Sequence, residues 1–397
     1  MSQEKESIRT ELNETSFQAK ELRKLEKKRA KQEKYYMSSQ WQLMGHKLLR
    51  HKLAMISFIL LFLLYMGAIF GNFIAPQGLE DYSATYSNAP PSKIHLFHDG
   101  KFAGPYVYHY DISYDKFQNR IFTENKEQIY PIKFLAKGTS YKLFGFIKSD
   151  IHLFGIDNSK LPKGKDPVVL MIFGADKLGR DIFSRILLGS QVSLTVPLLG
   201  TVLSFLLAII IGGLSGFYGG IIDTVVQRII EVICSFPTLP LWMALSAAIP
   251  PGISVTKVYI FITIIMSLLS WPGLARTVRG KFLSLKKEDY VMAAQLAGVS
   301  DFKIIIKHLV PGFISYLIVS LTLGIPGMIL GETSMSFLGL GMRAPATSWG
   351  VLLQECQSIS NIANCPWKMI PVLFVVVAVL AFNFLGDGLR DAADPYK

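Results

Sequence analysis

The sequence predicts an all-α polytopic membrane protein: six transmembrane helices, with a small β-rich insert between helices 1 and 2. Three observations predict it. Half of the 397 residues are hydrophobic and mean hydropathy is positive at +0.35, and several apolar runs are too long for a soluble core of this size. Apolar runs of about 20 residues, the length that crosses a bilayer core, recur along the chain. Between the first run and the others, residues 76–168 turn polar and rich in Tyr, Lys and Asp.

The formal net charge of +12 does not by itself argue for nucleic acid. In a polytopic chain basic excess sets topology and meets lipid headgroups. The three cysteines form no CxxC pair and have no His cluster beside them, so neither a metal site nor a cofactor is expected. No G-x-x-x-x-G-K-[ST] stretch occurs, which leaves the chain without the backbone cradle and Lys that hold nucleotide phosphates.

Residues 1–52 form a basic tail whose run ELRKLEKKRAKQEK favours a solvated helix. Trp41, His46, Lys47, Arg50, His51 and Lys52 then make an aromatic and basic collar that holds this end on the cytoplasmic side. Residues 53–75 are nearly free of charge and lack a cleavage site, which predicts an uncleaved first span. Residues 76–168 are expected as an extracytoplasmic domain, with strands near Tyr106–Ile112 and Tyr130–Leu135. A segment this long translocates largely regardless of its lysines.

Residues 169–397 carry the other five spans. The second is expected near 191–217, returning through a Gly-rich turn within 212–240. There Asp223, Arg228 and Glu231 are spaced for pairing along one helix face. The third, near 229–249, is interrupted by Pro237 and Pro240, as a packing kink or as the lining of a pathway. The fourth, near 258–274, ends at Arg276, Arg279 and Lys281. The fifth is placed at 313–330 and the sixth at 369–385. Glu332 sits closest to membrane depth; it is a functional candidate or else a partner for Arg180.

Between the fourth and fifth spans lies a polar segment, 286–311, whose residues 288–311 read EDYVMAAQLAGVSDFKIIIKHLVP. Its first half carries a small apolar face of Met292, Ala293, Leu296 and Ala297, and Gly298 supplies a C-cap turn. Ser300 is placed to N-cap a second helix that ends near Pro311. Such a segment between membrane helices suits protein docking. The string AAQLAGVSDFKIIIKH also looks like a helix-turn-helix, but the flanking spans leave no room for a DNA-binding domain, so no nucleic-acid partner is expected.

Ala293-Ala294-x-x-x-Gly298, ending in His308-Leu309-x-Pro311, resembles the cytoplasmic coupling loop of ABC-importer permeases, with Met292 standing where that family usually has Glu. Gly174-x-Asp176-x-x-Gly179-Arg180-Asp181-x-x-Ser184-Arg185 resembles the outer-face signature of oligopeptide and dipeptide importer permeases, with Ala175 in place of the usual Thr. Residues 336–350 and the ending Gly386-Asp387-Gly388-Leu389-Arg390-Asp391-Ala392 resemble the same family. The likeness is close over 170–397 and loose over 42–76, and the long insert is similar to that of a subgroup with an enlarged outer loop.

The resemblance implies the C-type permease of a peptide-importing ABC transporter in the bacterial inner membrane, with both termini cytoplasmic. It implies two ATPase subunits, a homologous second permease, an extracytoplasmic binding protein and a peptide substrate as partners. Catalysis would reside in the ATPases and not in this chain. Met292, Ala293, Ala294, Gly298, His308 and Pro311 would carry coupling to them. Asp176, Gly179, Arg180, Asp181 and Arg185 would form either the cap of a span or a substrate contact, with Asp181 and Arg185 four apart on one helix face and able to pair. A reading of a different class, a membrane-anchored enzyme or sensor acting through 77–168, finds scattered His95, His98, His109 and His152 without metal-ligand spacing. Cys356 and Cys365, both in the expected outer loop, are candidates for a disulfide, whereas Cys234 falls inside a span.

Overall fold

A computed structural model describes residues 40–98, 100–116, 120–143, 145–158, 167–343 and 346–394. Most of the expected basic tail lies outside the described residues. The chain opens with a short amphipathic helix, α1 (Gln40–Arg50), and the first long apolar helix, α2 (Lys52–Ile69). The Nδ1 of His51 accepts the Ala54 N–H and so caps α2. The chain then breaks at Phe70, and a single turn, α3 (Gly71–Ile74), closes the expected first span.

The insert is a meander of β1 (His95–His98), β2 (Lys101–Tyr114), β3 (Arg120–Leu143) and β4 (Ile147–Ile156). β3 changes partner midway. Its first half pairs antiparallel with β2, from Tyr114↔Arg120 to Tyr106↔Pro131, and its second half with β4, from Ile132↔Ile156 to Leu143↔Ile147. Val107 and Tyr130 pack there with Val168 and Leu170, which lead out of the insert. Both stretches expected as strands fall within β2 and β3. The His152 ring sits between the carbonyls of Ala75 and Thr139, at 2.5 and 2.9 Å, and so ties β4 to the end of the first span.

The helical body follows: α4 (Ile182–Tyr218), α5 (Gly220–Cys234), α6 (Thr238–Ala247), α7 (Val255–Leu285), α8 (Asp289–Leu296) and α9 (Asp301–Ile304), then α10 (Ile314–Phe337), α11 (Trp349–Leu353), α12 (Ile359–Asn364) and α13 (Ile370–Ala393). Among the described residues five helical stretches are long and apolar enough to cross a membrane, and α5 with α6 makes a sixth if that bent pair is one span. In place of one continuous third span the chain has these two helices, bent by 84°. The bend falls at Pro237, whose ring cannot continue the helix. The Gly-rich turn after the second span is also shorter than expected. Gly212, Gly213 and Gly216 lie inside α4, and only Gly219 and Gly220, both at positive φ, make the turn.

Those helical glycines are needed for packing. A Cβ on Gly212 would collide with the carbonyl of Ala275, and one on Gly216 would stand 2.7 Å from the Arg279 carbonyl and 2.8 Å from the Phe282 Cβ. α4 and α7 therefore run in backbone contact, the small-residue packing that membrane helices use where no hydrophobic effect drives association. The cluster of Leu61, Ile186, Leu194, Ile329, Trp349, Val375 and Phe382 joins α2, α4, α10, α11 and α13.

The glycine contact is open to a direct check. Gly216→Ala is expected to destabilise by about 1–3 kcal/mol through overpacking. Gly280→Ala, where nothing stands within 4 Å of an added Cβ, should stabilise by up to about 1 kcal/mol through helix propensity. Thermal melts of the two purified variants should therefore move in opposite directions.

Candidate functional site

Two sets of residues singled out in the sequence converge at opposite ends of α4. At its C-terminal end lies the 288–311 segment. α8 ends at Gly298, which takes φ +70°, and α9 begins after Ser300. Ser300 holds the N-cap position without a side-chain capping bond. The expected second helix is shorter than its pattern suggests: α9 gives way to a π-helical turn over Ile305–Leu309 and a 3₁₀ turn over Val310–Phe313. Pro311 has no N–H for a helical ladder, which accounts for the break. This departs from the second helix of a helix-turn-helix.

Val291, Ile304, Leu309 and Phe313 bury themselves against Phe217 of α4 and Val278 and Phe282 of α7. Lys286 Nζ donates to the Phe217 carbonyl at 2.6 Å. The outward side is left apolar and open. Met292, Ala293, Ala297, Phe302 and Ile306 are exposed, and Leu296 is 90% exposed. Ala294 and His308 are half-buried, the His308 ring lying 6.4 Å from that of Tyr290. α7 is braced against α5 by a bidentate ion pair from Arg279 to Asp223, both bonds 2.5 Å. The pairing expected along one helix face is thus only partly right: Arg228 meets Glu231, but Asp223 turns to α7 instead.

The described ends of the chain lie at this same end of the bundle. Lys47 Nζ donates to the Asp394 carbonyl at 2.8 Å, and Ser315 Oγ lies 3.9 Å from Met44 Sδ.

At the N-terminal end of α4, residues 174–185 form a clasp. Asp176 is buried, accepting the backbone N–H groups of Leu178 and Arg180, the Arg180 Nε at 2.7 Å and Nη1 of Arg185. Asp181 does not pair with Arg185 as the spacing suggested. It caps α4, accepting the N–H groups of Phe183 and Ser184 and the Ser184 hydroxyl at 2.6 Å, while Arg185 reaches Asp176 and Thr347. The cap wins because three donors at a helix N-terminus surround the Asp181 carboxylate. Gly179 takes φ +73°, and a Cβ there would strike the carbonyl of Ser83.

The clasp grips segments on both sides. Asn88 and Ala175 exchange backbone bonds with Asp176 and Ala89, and Trp367 Nε1 donates to the Ala175 carbonyl at 3.1 Å. Lys368, only 2% exposed, pairs with Glu355 at 2.9 Å and donates to Asn88 Oδ1 at 2.7 Å. Sequence reasoning missed Lys368, Glu355, Asn88 and Thr347. A lone lysine in a loop carries no mark of being buried.

Glu332 is fully buried but does not meet Arg180, which is held by Asp176. Its carboxylate accepts the hydroxyls of Ser336 at 2.7 Å and Ser193 at 3.4 Å, and Ser193 in turn accepts the Trp349 N–H. The expected Cys356–Cys365 bond is not formed. Both are free thiols, with Cys356 Sγ donating to the Lys368 carbonyl at 3.3 Å. Burial pushes both thiols up, which keeps them protonated and slow to oxidise. Cys234 is exposed.

Comparison with known proteins matches residues 204–396 to the binding-protein-dependent transport system inner membrane component, and residues 39–91 to the N-terminal transmembrane domain of oligopeptide transport permease C. The dipeptide transport system permease protein DppC of Bacillus subtilis (strain 168) is 39% identical over 225 residues, 56% of this chain and 68% of that protein. The oligopeptide transport system permease protein OppC of the same strain is 35% identical over 251 residues, 63% and 78%. The chain belongs to this permease family. Glutathione transport system permease protein GsiD of Pectobacterium atrosepticum is also similar, at 39% over 56% of this chain and 71% of its own. The protein is accordingly a multi-pass inner-membrane transport component, and the 95–156 sheet is an addition between its first two spans.

Removing the clasp's central carboxylate should leave the Arg185 guanidinium buried without its partner, a loss of about 3–5 kcal/mol. Asp176→Ala is expected to lower the melting temperature of the purified protein sharply, and the added Arg185→Met to restore most of it. A double-mutant cycle in thermal unfolding measures the coupling directly.

Proposed function

We propose that this chain is one permease subunit of an ATP-driven importer for peptides, assembled with a homologous second permease, two ATPase subunits and an extracytoplasmic binding protein. The observation that carries the reading is the 288–311 segment. It presents an uncovered apolar face, yet it is rooted in the ends of α4 and α7. A partner pressing on that face moves two spanning helices together, which is what coupling ATP hydrolysis to alternating access requires. Met292, Ala293 and Gly298 form the docking side, Ala294 packs behind them against the cluster of Val291 and Phe282, and His308 and Pro311 lie on the return toward α10.

The peptide substrate is argued from the relatives, whose names describe dipeptide, oligopeptide and glutathione transport. In this reading both termini and the 288–311 segment face the cytoplasm. The insert faces outward, where it meets the binding protein or covers the entrance to the pathway. The residues 174–185 serve as the clasp that holds the insert against the outer ends of the spans, because Asp176, Arg180 and Arg185 satisfy one another inside the fold.

Ala293→Arg places a bulky charge on the docking side. Expected are loss of stimulated ATP hydrolysis and uptake by more than about tenfold, the scale of a disrupted hot spot, with normal amounts of protein in the membrane; unchanged uptake would remove the segment from this role. Protease added outside intact spheroplasts should cleave within residues 77–168. Cleavage only after lysis would reverse the topology.

A further inference from the structure

The meander of the insert has three connections, reading DG between β1 and β2, DKFQN between β2 and β3, and FGF between β3 and β4. The first two are polar, as turns in water are. The third is apolar; it continues into Leu143 and Ile147 and is bracketed by Lys142 and Lys148, so that the stretch reads KLFGFIK. Gly145 makes the bend at φ +81°. Phe146 beside it is 74% exposed, and Ile147 is exposed as well. Lys142 and Lys148 stand directly opposite each other across the ribbon. Like charges so placed weaken a hairpin, and among the described residues neither forms an ion pair.

The β3–β4 ribbon is held at its root. There His152 meets the carbonyls of Ala75 and Thr139, and the Phe154 ring lies 6.0 Å from that of Phe183 at the start of α4. The hydrophobic clusters of the insert reach the ribbon no farther than Ile132 and Phe154. Beyond His152 the second half of β3 pairs with β4 and with no third strand, a two-stranded form that is marginal in water. The root also sets the depth. Ala75 follows the last turn of the first span, which places His152 at the bilayer surface. Ile147 lies about 17 Å from it at the rise of a strand, so the turn stays within reach of the same leaflet.

From this geometry we infer that the β3–β4 turn is a lipid-binding foot of the insert. Phe146 and Ile147 enter the headgroup region of the leaflet on the insert's own side, and Lys142 and Lys148 meet the phosphates of anionic phospholipid. Apolar and aromatic side chains flanked by lysines are the composition of segments that settle in a membrane interface, and a negative lipid surface relieves the repulsion of the facing lysines. Seated so, the ribbon gains the covered face that two strands lack in water. An acidic protein surface would match the lysines too, but the root holds the turn beside the bilayer whether or not any partner is docked. That the leaflet is the outer one rests on the outward orientation proposed above.

The test uses the full complex in intact cells, with the photo-crosslinking residue p-benzoylphenylalanine in place of Phe146 or, as the control, of Tyr114, which is exposed at the polar β2–β3 end. After irradiation the chain is purified and its mass measured. A phospholipid adduct is expected at 146 and none at 114. Adding Lys142→Gln with Lys148→Gln should lower the yield of that adduct by about tenfold, the scale of two lysines at an anionic surface. Adducts at 146 to the binding protein or the second permease in place of lipid, or equal lipid adducts at both positions, overturn the proposal. A yield that ignores the two lysines overturns the assignment to anionic phospholipid. A lipid adduct at 146 in cells whose insert resists protease until lysis overturns the outward orientation and leaves the lipid contact standing.

Discussion

The structure depends on one close contact, the backbone approach of α4 to α7 through Gly212 and Gly216. In lipid, burial of apolar side chains gives two helices no reason to associate, so dispersion at short range has to hold them. Side chains at these positions would push the helices apart along their whole length. Because α4 has 37 residues and rises about 1.5 Å per residue, it outruns a bilayer core of about 30 Å. One rigid element thereby reaches from the clasp near Asp176 to the anchor of the 288–311 segment.

The two ends of α4 are built on different physics. At the insert end the contacts are ionic and buried: Asp176 with Arg180 and Arg185, Lys368 with Glu355. Charges taken out of water tolerate little movement, since breaking a pair strands its partner. At the other end the 288–311 segment is seated by dispersion among Phe217, Phe282, Leu309 and Phe313, and it leaves its outer apolar face uncovered.

Much of this was legible in the chain itself. The long apolar runs, the polar interval 76–168 and the Gly298 turn follow from composition and local backbone chemistry, and each is found in place. Pairings across the fold were harder. Asp181 and Arg185 have the helical spacing for an ion pair, yet Asp181 caps the helix and Arg185 turns back to Asp176. Glu332 and Arg180 both lie at the insert end, yet each is satisfied closer by, through Ser336 and through Asp176. Spacing along one element says which groups share a face, and it says nothing of a better partner arriving from elsewhere.

By itself, then, the sequence determined what each segment is made to lie in: lipid for the spans and water for the insert. Those properties belong to runs of neighbouring residues and are set by transfer between solvents. Only the tertiary structure decided which glycines are contacts and which are turns, and that Lys368 is buried. Each of those depends on groups far apart in the chain meeting within a few ångströms, and no local pattern encodes that meeting.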